Sequence, residues 1–205
     1  MPARGAYDRA TIHAIVDEAL ICHVSFVEDG LPCIIPTLHA RRGDEILLHG
    51  AKASRLLKHA QAGGDLAIAI TLVDGIVVAR STFHSSMNYR SAVLFGRGRP
   101  ITDEDERMAA LAAFTEHLIP GRWSDSRAPT PLEMNATTVV AVTIDSASAK
   151  IRTGPPGDDI EDYATGFWSG VLPIRQQVLA PQDDPTLRTG IAAPGYITGY
   201  RRPGG

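Results

Sequence analysis

Several features that would place a chain at once are scarce in these 205 residues. There are two cysteines, Cys22 and Cys33, and no Cys-x-x-Cys pair. The seven histidines show neither His-x-x-x-His nor His-Glu-x-x-His spacing, so no metal centre is expected. Twenty Lys and Arg stand against 23 Asp and Glu, a formal net charge of −3, which is not the basic excess of a broad nucleic-acid surface. No apolar run approaches the ~18 residues of a membrane span. The opening MPARGAYDRAT has no apolar signal core. Together these absences predict a cytoplasmic protein with neither nucleic acid nor membrane as a partner. The chain also lacks an internal repeat and a clean interdomain linker. With 44% hydrophobic and 21% charged residues it has the balance of a soluble globule. Its length suits one domain over 1–205, with a helical insertion at about 102–135 and a C-terminal extension at about 154–205.

What is present reads as short strands and turns with local helices. Asp8 can cap a helix whose Ile12, Ile15, Val16, Ala19 and Leu20 form one apolar stripe. Ile21–Val27 alternates loosely, and Asp29-Gly30 is a strong hairpin signal before a return strand over Leu31–Ala40. Pairing around that turn puts Cys22 opposite Thr37 and Cys33 opposite Phe26. The cysteines are then offset by roughly 13 Å along the hairpin and remain free thiols. Pro32 and Pro36 lack an N–H, so the return strand has an irregular edge where a ligand can take up backbone groups. Further on, Asp65–Leu72 reads as a strand, Asp74-Gly75 as a second hairpin turn and Ile76–Ser81 as its return. The polar segment Ser85–Arg90 lies before a strand at Ala92–Arg97, where Gly96 and Gly98 indicate a bulge or a close backbone approach. Thr102 and Asp105 resemble a capping box for a helix burying Met108, Leu111, Ala112, Thr115 and Leu118. Thr130-Pro131-Leu132-Glu133 opens another helix. Thr137–Ile144 and Ala147–Arg152 complete the strands. The pattern predicts a mainly β fold with flanking helices, an antiparallel barrel.

The stretch that draws the chemistry is Leu47–Ala60, LLHGAKASRLLKHA. An apolar strand end leads through His49 and Gly50 to a small-residue loop with Lys52, and Ser54-Arg55 opens a short helix. Free N–H groups at a helix start, its dipole and nearby cations make an anion cradle. The same residues also describe an ordinary N-capped surface helix with solvated cations.

Four segments, LPCIIPTLHA, LLHGAKASRLL, SSMNYRSAVLFGRG and FWSGVLP, together resemble the pyridoxamine 5′-phosphate oxidase-like flavoproteins, in the branch of the nitroimidazole-resistance proteins. The resemblance runs over roughly residues 10–175. It implies an antiparallel split β-barrel of the FMN-binding type, a homodimer with FMN at the subunit interface and a small-molecule substrate. It places the FMN phosphate on Ser54 and Arg55 with Lys52 nearby, the flavin ring along Ile35, Pro36 and Thr37, and the ribityl chain near His49 and Gly50. Asn88, Tyr89, Arg90 and Ser91 match the segment at the flavin edge. Trp168 matches an aromatic that the partner subunit can donate. The biosynthetic oxidases carry Arg-Lys after the serine, whereas Leu56 follows Arg55 here, and their C-terminal Arg-Leu-His-Asp-Arg motif is absent. Oxidation of pyridoxamine phosphate is therefore not expected.

The function this predicts is an FMN-dependent oxidoreductase acting on a small oxidised organic molecule. His49 and Tyr89 are candidate catalytic groups, His49 as a proton donor and Tyr89 as a stacking or hydrogen-bonding partner of the flavin. Each also has a structural reading, as a satisfied strand-end histidine and as a core aromatic. The alternative function is a non-catalytic flavin- or haem-binding module on the same barrel, a carrier, sensor or haem-handling protein.

Overall fold

The computed structural model describes residues 5–202. After the two-residue strand β1 (Gly5–Ala6), Asp8 accepts a 2.8 Å hydrogen bond from the Thr11 N–H and starts helix α1 (Arg9–Glu18). Ile12, Ile15 and Val16 of that helix are buried, as its stripe predicts. The hairpin of β2 (Ile21–Glu28) and β3 (Leu31–Leu38) turns at Asp29 and Gly30, both with positive φ. Cys22 pairs with Thr37, Phe26 pairs with Cys33, and both cysteines are free. The return strand is shorter than expected: it stops at Leu38, and after His39 the chain re-enters the sheet as β4 (Ala40–Arg42). Then follow β5 (Glu45–Ala51) and helix α2 (Arg55–Gln61), stopped by Gly63 at φ 74°.

The expected hairpin turn at Asp74-Gly75 is not there. β6 runs unbroken from Asp65 to Val78 and pairs along its length with β7 (Ser86–Pro100), with only a register shift between Val73 and Gly75. Gly75 is not in a left-handed conformation. It is wedged under a third strand, where a Cβ would meet the Leu172 carbonyl oxygen at 3.0 Å. The chain reverses at 79–85 instead, through a 3-10 turn at Thr82–His84. Asn88–Ser91 therefore belong to a strand. Helix α3 (Glu104–Leu118) is capped by Asp103 rather than Thr102, through a 2.8 Å bond from the Glu106 N–H. Its fully buried residues are Ala110 and Phe114, while the expected stripe of Met108, Leu111, Ala112, Thr115 and Leu118 is only half-buried. Helix α4 (Pro131–Ala136) has the expected Thr130–Glu133 capping box. The two last predicted strands are one, β8 (Thr137–Arg152), bulged opposite Phe95 and Gly96. β9 (Gly170–Pro173) adds to β6, and a short helix α5 (Gly195–Thr198) lies near the end.

All pairings are antiparallel, in the order β3-β2-β6-β7-β8-β5-β4, with β1 on β8 and β9 on β6. The two ends of this order, β3 and β4, are joined by the single residue His39. One residue spans only about 7 Å, so the sheet has to curl, and the result is the split β-barrel with flanking helices. Its interior is filled by α1, α2 and residues such as Val24, Ile46, Leu48, Ile68, Leu94 and Val140. A second core lies on the outer face of β5 and β8, where Leu47, Val139 and Ala141 meet Ala110 and Phe114 of α3. β5 is thus buried on both faces, which explains its unbroken Ile-Leu-Leu run. A charged network fastens the start of α3 to the sheet: Glu106 binds Arg42 at 2.6 Å and Arg99 at 2.7 Å, and these arginines hold its carboxyl down at about 2. Among the described residues, no helix is long and apolar enough to cross a membrane.

The end of α1 leaves carbonyls without helical partners, and other elements supply donors. His39 Nε2 donates to Val16 O at 2.9 Å, His117 Nε2 to Ala19 O at 2.8 Å, and Arg202 to Glu18 O at 2.5 Å. Burial pushes the His39 imidazole down to about 4, with the bond to Val16 opposing that shift. In the unfolded chain His39 takes its proton near the ordinary value, so between about 6.5 and about 4 the unfolded state binds more protons. Stability should therefore decline as pH falls through that window. Urea midpoints at pH 7.5 and 4.5 check this, and His39→Gln should flatten the slope.

Candidate functional site

At the β5–α2 junction the strand, the small-residue loop and the Ser54-capped helix are present as predicted. The chain leaves β5 at Ala51, and Ser54 caps α2, its hydroxyl accepting from the Leu57 N–H at 3.4 Å. Arg55 is exposed and forms a 2.6 Å ion pair with Glu28 at the tip of the β2–β3 hairpin. Lys52 is also exposed but lies on a different side, at a cavity of about 200 Å³ shared with Gln61, Arg107 and Thr138. Arg107 is committed there to the carbonyl oxygens of Met134 and Thr137. Ser54 and Arg55 thus share one place, and Lys52 faces another. Ile35, Pro36 and Thr37 lie on β3, which among the described residues pairs only with β2, so the strand's other side is an open edge there. This is where its two prolines are tolerated.

Residues Asn88–Ser91 are held by the fold itself. Asn88 is buried, accepting from Arg152 and donating to Gly154 O at 3.1 Å. Tyr89 is half-buried, with the Lys150 ammonium 5.9 Å from its ring centre. Arg90 is gripped by two carboxylates, Glu18 through both guanidinium nitrogens and Asp74 at 2.8 and 3.0 Å. These bonds raise its already high pKa further. Ser91 donates weakly to Lys150 O at 3.4 Å. Trp168 is 64% exposed and its ring lies against Gly170, where a Cβ would approach it to 2.8 Å.

His49 stands apart from all of these. It lies on β5 opposite Val139, with Gly50 opposite Thr138, and its ring centre is 4.2 Å from that of Phe114 on α3. Its Nδ1 is buried without a hydrogen-bond partner among the described residues, and burial lowers its pKa, which favours the neutral imidazole. An unpartnered buried nitrogen is costly in a folded core. His49 also lines a cavity of about 490 Å³ between the sheet and the helical insertion, walled by Leu38, Leu111, Phe114, Leu118, Trp123 and Met134. At its rim Arg127 pairs with Glu133 at 2.5 Å. Sequence reasoning missed this cavity because it treated the insertion as packing. The signal available was the second apolar stripe of α3, followed by Trp123 and Met134.

Residues 8–151 match the family described as Pyridoxamine 5'-phosphate oxidase. Among solved structures, a flavocytochrome from Azotobacter vinelandii is 40% identical, with a TM-score of 0.91 and coverage of 98% of this chain and 94% of that one. An FAD and haem binding protein from Mycobacterium smegmatis is 37% identical, with a TM-score of 0.92 and coverage of 97% and 98%. A candidate 5-nitroimidazole antibiotic resistance protein from Bacteroides thetaiotaomicron, 21% identical with a TM-score of 0.59, covers 72% of this chain and shares the fold. No curated relative matches the chain.

Proposed function

Since the chain belongs to the pyridoxamine 5′-phosphate oxidase family, we propose that it is a flavin-binding oxidoreductase that also carries haem, working on a small oxidised molecule. The observation that carries the haem half is His49. An imidazole kept neutral in a mainly apolar cavity of about 490 Å³ has the lone pair and the surroundings to hold a haem iron, so His49 would be the residue that binds it. The two relatives that share nearly the whole chain, insertion included, are a flavocytochrome and an FAD and haem binding protein, which supports the same reading. When bound, flavin supplies hydride chemistry and haem one-electron chemistry.

The chain's own residues have distinct tasks in this reading. Ser54 offers a hydroxyl and Arg55 a planar cation to the flavin phosphate, with Glu28 holding the guanidinium until the phosphate displaces it. Lys52, which faces the cavity it shares with Arg107, is not assigned to the phosphate. The open edge at Ile35–Thr37 offers backbone groups to the ring, and Tyr89 and Ser91 stand at its rim. Asn88 and Arg90 position that strand. FMN, the flavin the resemblance implies, and FAD, carried by the M. smegmatis relative, make the same demand on the first phosphate. A homodimer with the flavin at its interface fits the exposed apolar residues Ile21, Val27, Leu31 and Ile34 of the β2–β3 hairpin. Trp168 of a second copy can then cover the ring.

The test is the absorption spectrum of the purified protein, followed by extraction and chromatography of the released flavin. A flavin band together with a Soret band is expected; a colourless protein that takes up neither added cofactor would overturn the reading. Arg55→Ala should weaken flavin binding by about 1.5–3 kcal/mol, the scale of a charge-assisted hydrogen bond, read as a dissociation constant by fluorescence quenching. A second reading, a non-catalytic carrier or sensor, is favoured if the loaded protein shows no turnover with any reductant and acceptor.

A further inference from the structure

Two adjoining cavities are lined by the late segments 174–178 and 200–202, and the smaller of them reaches the barrel. The larger, about 490 Å³, is lined by Arg175, Val178, Tyr200, Arg201 and Arg202 together with Gln176. The smaller, about 180 Å³, shares Arg175, Gln176 and Arg202 and extends to Arg90, Glu18 and Asp74. Both carboxylates of the smaller cavity are bound by Arg90. Among the described residues the other three arginines have no carboxylate partner. Arg202 donates to the Glu18 carbonyl and, at 2.6 Å, to Gln176 Oε1. Among the described residues Arg201 donates only to the carbonyl of its neighbour Tyr200. Arg175 makes no side-chain hydrogen bond or ion pair with the other described residues. Elsewhere in the described chain the habit is the opposite, since ten other arginines, Arg90 included, each hold a carboxylate.

Three guanidiniums gathered on one cavity repel each other unless an anion sits between them. Their planar forks match phosphate oxygens, often two at a time. The volume is that of a small-molecule pocket, more than a bare phosphate requires, and Val178 adds an apolar surface. We propose that this cavity binds a phosphorylated nucleotide, its phosphates on Arg175, Arg201 and Arg202. The site is separate from the cradle at Ser54 and Arg55 and from the His49 cavity, and it stands whether or not those hold flavin and haem.

The test is calorimetric titration of the full chain with ADP, NADP⁺ and inorganic pyrophosphate. Both nucleotides should bind, pyrophosphate at least tenfold more weakly, and raised salt should loosen all three. Arg175 and Arg201 brace no other element, so the double variant R175A/R201A should melt like the parent. It should bind the nucleotides at least tenfold more weakly, with cofactor absorption unchanged. The proposal is overturned if no probe binds the parent, if pyrophosphate binds as tightly as the nucleotides, or if the double variant binds them undiminished. Cofactor absorption in the same samples reports on flavin and haem separately, so the two readings fail independently.

Discussion

A His49→Leu variant should purify with its flavin and without haem, its affinity for added haem falling by at least about 100-fold, beyond the loss typical of an outer-shell change. The substitution removes the imidazole from a wall otherwise made of Leu38, Leu111, Phe114, Leu118 and Met134. It also removes the buried Nδ1 that has no partner, and replacing an unsatisfied polar group with an apolar one of similar size is close to neutral or stabilising. Haem binding and stability should therefore move in different directions. Soret titration reads the first and thermal unfolding of the haem-free protein the second. A variant that keeps the Soret band would remove His49 from the site. One that unfolds much earlier would show that the imidazole serves the core instead.

The largest effect on stability should come from Gly96→Ala. A Cβ there would lie 1.9 Å from the Thr143 carbonyl oxygen and 3.3 Å from Val142 Cγ1, at the point where β8 bulges against β7. The obstructing atom is backbone in a paired strand, so relief means breaking part of the β7–β8 ladder. A loss of about 3 kcal/mol or more is expected, above ordinary overpacking, and hence a Tm lower by roughly 10 °C for a chain of this size. Gly157→Ala is the control, since nothing lies within 4 Å of its added Cβ. Equal melting of the two variants would sink the argument.

How far the sequence could be read is clearest at two Asp-Gly pairs. Asp29-Gly30 makes its hairpin because both residues reach positive φ at the free end of an edge hairpin. Asp74-Gly75 has the same letters, but it sits mid-strand beneath β9, and its aspartate is used by Arg90. Only the tertiary partner separates the two cases. Local signals carried well where the physics is local: the Asp8 cap, the Thr130–Glu133 box, the close approach at Gly96 and the helix start at Ser54. The stripe of α3 was misjudged because the helix has two apolar surfaces, one on the sheet and one on the His49 cavity. Arg90 and Asn88 illustrate the same limit, since their polar character was legible and their partners Glu18, Asp74, Arg152 and Gly154, distant along the chain, were not.

The joining of β3 to β4 through His39 also bears on how the protein is made. By the time residue 51 has left the ribosome, both ends of the sheet order exist, but β5 must wait for β8, which begins at residue 137. During that interval Ile46, Leu47 and Leu48 have β4 on one side but lack β8 and α3, leaving an apolar strand with one open backbone edge on the growing chain. Chains released before residue 152 should accordingly be bound by chaperones or aggregate.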